Sequence, residues 1–60
     1  MKLARWMTMS RTTTRDLARR LAVPKRSVEN WRQGRYVPRA KVLLRIEKIT
    51  SGLVSPRDFY

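Results

Sequence analysis

A chain of 60 residues allows one domain, and a domain this small buries only about 60% of the surface that its unfolded form exposes. It contains neither cysteine nor histidine, which excludes disulfides and thiolate metal sites and removes the commonest metal ligand and the commonest general base. Fifteen Lys and Arg against four Asp and Glu give a net charge of +11, a balance that favours a polyanionic partner, with nucleic acid ahead of a membrane surface.

The first predicted helix covers residues 2–9, where Leu3, Trp6 and Met7 recur at i, i+3 and i+4. Trp6 is a base-stacking candidate, but a large aromatic on an apolar stripe of so small a domain is read as core. Lys2 and Arg5 face outward. Charges interrupt this stretch and no small-residue cleavage site follows, so it is not read as a signal peptide. No apolar run approaches the roughly 20 residues that span a bilayer, and a cytoplasmic protein is expected.

Residues 10–13 form a polar linker. Thr13 is an N-cap; Asp16, three residues on, completes a variant of the capping box and favours the positive end of the helix dipole. The second helix runs over residues 14–21. Leu17, Ala18, Leu21 and Ala22 make its apolar stripe, with Arg15, Asp16, Arg19 and Arg20 on the other side. Val23 and Pro24 form the turn, because Pro24 suits a first helical turn and disfavours helix at the residue before it. The third helix covers residues 25–33 and stops at Gly34. Val28 and Trp31, three apart, share its inner face. Arg26, Glu29, Asn30 and Gln33 cluster on the outer face, with Lys25 and Arg32 on one flank.

Residues 35–37 connect to a fourth helix that Pro38 starts and that ends near residue 50. Its buried face is Val42, Leu43, Ile46 and Ile49. Leu44 projects roughly opposite Val42, near Ala40, and is either a dimer contact or covered by the chain's own tail. Ser51 and Gly52 close the helix. Leu53 and Val54 are expected to be extended. Ser55, Pro56 and Asp58 give another cap-and-first-turn signal. Phe59 and Tyr60 either fold back on the core or join a dimer surface. The pattern describes an all-α domain of four helices plus a short C-terminal turn.

Residues 13–34, TTRDLARRLAVPKRSVENWRQG, resemble the helix-turn-helix of the Cro and lambda-repressor-like family. Thr14, Ala18, Val28 and Trp31 stand at the family's spacing, and Gly34 follows as the stop. Ala22 departs from it: the family usually has Gly there, at a backbone position that often needs φ > 0. The later stretch GRYVPRAKVLLRIEKITSGLVSPRDFY is similar to the end of small prophage Cro-type regulators. The resemblance implies a repressor that binds a pseudo-palindromic operator as a homodimer. It also implies that the opening residues of the third helix and those one turn on, Lys25, Arg26, Glu29 and Asn30, read bases, with Ser27 as a backbone or base contact.

The residues themselves favour the same chemistry. Arg26 suits guanine O6 and N7, Asn30 suits adenine N6 and N7, and Glu29 suits cytosine N4. Glu29 has a second reading, in which it only orients Lys25 and Arg32. Gln33 lies toward the rim. Arg15, Arg19, Arg20, Arg32, Arg35 and Arg39 are placed to neutralise phosphates, and Thr14 offers a hydroxyl and a backbone N–H at a helix N-terminus. For each cation the alternative is a solvated side chain that adds only long-range field. Tyr36 either bonds a phosphate or lies half-buried over the core.

Catalysis is not expected. Of Asp16, Glu29, Glu47 and Asp58, two read as caps, Glu47 sits on an exposed flank beside Lys48, and only Glu29 lies on the outer face of the third helix. No cofactor or metal site is expected either. Other readings stay open: an excisionase or antitoxin-type DNA-binding module, a nucleoid-coating or RNA-binding protein that uses charge alone, and a cationic membrane-active peptide. A single-strand binder is disfavoured at this level, because Trp6 and Trp31 are both assigned to the core and few rings remain for stacking.

Overall fold

The computed structural model describes residues 1–60 as four helices and a short 3-10 turn, with no strand. Helix α1 spans Leu3–Ser10, α2 spans Thr14–Leu21, α3 spans Lys25–Arg32 and α4 spans Ala40–Ile49; the 3-10 turn spans Pro56–Phe59. The all-α architecture read from the periodicity is the one the chain adopts. No helix is long and apolar enough to cross a membrane.

All four helices contribute to one core. Leu3, Trp6 and Met7 come from α1, Leu17, Ala18 and Leu21 from α2, Val28 from α3 and Ile46 from α4, with Val54 closing it from the C-terminal segment. Trp6 is thus buried, as its stripe predicts. Leu43 is buried as well, whereas Val42 and Ile49 are only half-buried at the margin.

All four helices end in the same way. The first residue past each C-terminus or its neighbour turns left-handed, and two backbone N–H groups then fold back onto the last carbonyls. In α2 these bonds run from Ala22 to Arg19 and from Val23 to Ala18; in α3 they run from Gly34 to Trp31 and from Arg35 to Asn30. Only the α3 closure places glycine first, at Gly34 with φ 79°. Arg11, Ala22 and Ser51 take φ of 57°, 57° and 55° with a Cβ in place. The positive φ anticipated for position 22 is therefore present. It also corrects the stripe: Ala22 has left the helix and is exposed.

Several boundaries differ from the sequence reading. Pro38 does not start α4. Its ring is buried, Arg39 stays extended at ψ 159°, and the helix begins at Ala40. Leu53 and Val54 lie in a bend rather than an extended piece. Gln33 is the α3 cap and not its last turn, and Ser10 belongs to α1 rather than to the linker.

The C-terminal segment is held by two polar ties. Thr50, buried at the end of α4, donates its hydroxyl to the Ile46 carbonyl at 2.8 Å and accepts the Val54 N–H at 3.1 Å. Asp58 Oδ2 accepts the Ser55 N–H at 2.8 Å and the Met1 amine at 2.9 Å, while Lys2 Nζ donates to the Asp58 carbonyl at 2.7 Å. The Ser55 N–H and then the Met1 amine hold the Asp58 carboxyl below its ordinary range. The two chain ends thereby close beside each other, and Phe59 packs half-buried against the core.

Candidate nucleic-acid interface

Helices α2 and α3 make the closest helix pair in the molecule. Val28, fully buried, anchors α3 against a layer that includes Leu17, Ala18 and Leu21 of α2. With that side fixed, the 3.6-residue period leaves the opposite side of α3 to solvent. Lys25 and Arg26 are exposed; Ser27, Glu29 and Asn30 are partly accessible; Arg32 and Gln33 are exposed. At eight residues α3 is about 12 Å long.

The first turn of α3 is electrostatically unusual. It contains Lys25 and Arg26 but no acid, and its N-cap, Pro24, offers no side-chain hydrogen bond. Cations beside the positive end of a helix dipole are unfavourable by a few tenths of a kcal/mol to about 1 kcal/mol each. Helix α2 does the opposite: Asp16 stands in its first turn and its N–H is capped by the Thr13 hydroxyl at 3.1 Å. Only this half of the anticipated capping box forms. An anion that docks on α3 relieves a repulsion that the chain itself leaves uncompensated.

The rest of the positive charge is equally unengaged. The one ion pair in the molecule joins the Met1 amine to Asp58. Among the Lys and Arg side chains only Lys2 and Arg45 donate to another protein atom, Arg45 reaching the Leu21 carbonyl at 3.5 Å. Glu29 therefore pairs with neither Lys25 nor Arg32, so its cation-orienting alternative is not what the structure contains. Arg15, Arg19, Arg20, Arg32, Arg35 and Arg39 are all exposed with no partner in the chain. Thr14 is partly accessible at the start of α2. Arg19 and Arg20 share with Arg11, Thr12 and Asp16 a polar hollow beside that helix N-terminus.

The exposure of three further side chains narrows their readings. Trp31 packs on the core but is only half-buried, so part of its indole is open to solvent. Tyr36 is 65% exposed and does not lie over the core. Leu44 is 62% exposed, which removes the alternative that the tail covers it. Of the remaining candidate dimer contacts, Phe59 turns onto the core, whereas Tyr60 is 82% exposed. The accessible part of Trp31 and the exposure of Tyr36 depend on how the α3–α4 connector and the C-terminal turn lie, which helical periodicity does not report. No protein-family model, curated protein or solved structure matches this chain.

Proposed function

We propose that this chain is a sequence-specific duplex DNA-binding regulator, a Cro-type repressor by its resemblance, and not an enzyme. The observation that carries the reading is the first turn of α3: Lys25 and Arg26 are exposed there, uncompensated by any acid, with Glu29 and Asn30 accessible one turn on. A helix is about 10–12 Å across with its side chains and suits a major groove about 12 Å wide. Arg26 then reads guanine and Asn30 reads adenine, while Ser27, Glu29 and Lys25 complete the base-facing set. The unpaired arginines around α3, together with Thr14, set the register on the phosphates.

On this reading repression is steric, by occupation of an operator that overlaps a promoter, and the protein resides on the nucleoid. A homodimer places two α3 helices about 34 Å apart on a pseudo-palindrome. Globules of 23 × 22 × 18 Å set side by side can span that separation. Leu44 is the apolar group on α4 that a symmetric contact would cover.

Selection of bound duplexes from a random library tests the proposal. A two-fold motif with half-sites one turn apart is expected. A single enriched half-site retains specificity and removes the dimer. Tight, salt-sensitive binding with no enrichment replaces the proposal with non-specific nucleic-acid coating. Leu44→Glu is expected to abolish the two-fold selection while leaving helix content intact, because the side chain is already exposed.

A further inference from the structure

Every aromatic side chain except the buried Trp6 lines a single surface cleft. Trp31, Tyr36, Phe59 and Tyr60 meet at the C-terminal end of α3, where Arg32 and Gln33 share the rim. The cleft has a volume of about 440 Å³, inside the range of about 300–1,000 Å³ typical of small-ligand pockets. Its other polar groups are already engaged: Lys2 donates to the Asp58 carbonyl, and the Asp58 carboxylate accepts from Ser55 and the Met1 amine. Arg32 and Gln33 have no partner in the chain.

Rings, an amide and a cation in one concavity narrow the occupant. An aliphatic surface uses neither the amide nor the guanidinium. A second copy of the chain has only four acidic side chains against fifteen cations, and so offers Arg32 few counter-charges. An unstacked nucleobase uses all three: its faces stack on rings, its edge meets Gln33, and its phosphate meets Arg32. The helix length separates this cleft from Lys25 and Arg26 at the other end of α3, and Arg32 is the one cation that both readings use. We propose that the Trp31–Tyr36–Phe59–Tyr60 cleft receives an unstacked base of single-stranded nucleic acid, with its phosphate on Arg32.

Trp31 reports on its own site, because Trp6 is shielded in the core. Short oligothymidylate is expected to quench the tryptophan fluorescence, and Trp31→Phe to remove the quench. Tyr36→Ala and Tyr60→Ala, both at exposed positions, are expected to weaken strand binding by roughly 5- to 150-fold. If Trp31→Phe does not fold, the tyrosine variants carry the test alone. The proposal is overturned if those variants bind the strand like the parent, or if inorganic polyphosphate, which has charge but no rings, quenches equally. Thymidine monophosphate binding as tightly as the strand makes the cleft a nucleotide pocket instead. A change from dimer to monomer in the tyrosine variants at unaltered strand affinity makes it an interface between copies. Duplex selection is measured separately, so each of these results leaves the α3 reading to stand or fall by itself.

Discussion

Two single residues separate structural strain from recognition. Ala22 is exposed and held at φ 57°, where an L-residue is less stable than in the right-handed region by about 1–2 kcal/mol. Glycine removes that strain but gives back about 0.5–1 kcal/mol through the unfolded chain. Ala22→Gly is therefore expected to stabilise the fold by about 0.5–1 kcal/mol, read as a higher urea midpoint at unchanged slope. No rise in the midpoint shows that the α2–α3 turn relaxes around Ala22. Arg26 is the complementary case, exposed and without a partner, so its loss leaves the fold unchanged. Arg26→Ala is expected to weaken binding to the selected operator by roughly 1–3 kcal/mol and to relax preference at one base pair. Equal losses on every duplex make Arg26 a phosphate contact.

The elements divide according to how local their determinants are. The bounds of α2 are legible in the sequence because both ends are marked within a few residues: Thr13 caps Asp16, and Pro24 disfavours helix at Val23. The inward face of Val28 follows from helical period alone, and with it the outward set on α3. What the sequence does not disclose depends on contacts between distant segments. Pro38 is buried in the α3–α4 connector, so a residue that often opens a helix sits two positions before one. Thr50 reads as an ordinary helix end, yet its hydroxyl is buried and satisfies the Val54 N–H. Thr50→Val keeps the shape and strands that N–H, so it is expected to destabilise the domain by about 1–3 kcal/mol in a denaturant titration, and Thr50→Ser to recover most of the loss. Equal stability of the two variants means that water reaches Val54. The Asp58 tie is half legible: the cap formed with Ser55 is marked by the local sequence, whereas the Met1 amine comes from the opposite chain end. The folded-state pKa of Asp58 is lowered, first by the Ser55 N–H. The stabilisation is thus fully present above the unfolded value of about 3.9 and is lost as pH falls through the lower folded value. Asp58→Asn is expected to flatten that acid limb of the stability profile, and an unchanged limb assigns it to other carboxylates.

At the scale of the whole molecule, one ion pair stands against a net charge of +11 inside a radius of gyration of 9.9 Å. A domain of this length has a total stability of about 3–9 kcal/mol, so charge repulsion across the globule is a substantial opposing term. Salt screens that repulsion, because the Debye length shrinks from about 30 Å at 0.01 M to about 10 Å at 0.1 M. The Tm of the free protein is therefore expected to rise with sodium chloride over this range. The same salt acts in the opposite sense on a DNA complex. Each phosphate that the arginines neutralise releases counterions, and affinity falls with a log–log slope of about 0.9 per contact on duplex DNA. Bound duplex stabilises the fold by mass action, so the Tm of the complex is expected to fall with salt toward that of the free protein. Two melting series, with and without the selected duplex, measure both effects. Arg19→Ala is expected to raise the low-salt Tm of the free protein slightly and to make the binding slope shallower by about 0.9. A free-protein Tm that does not respond to salt shows that the exposed arginines already avoid one another through solvent. A binding slope that Arg19→Ala leaves unchanged places Arg19 outside the DNA footprint.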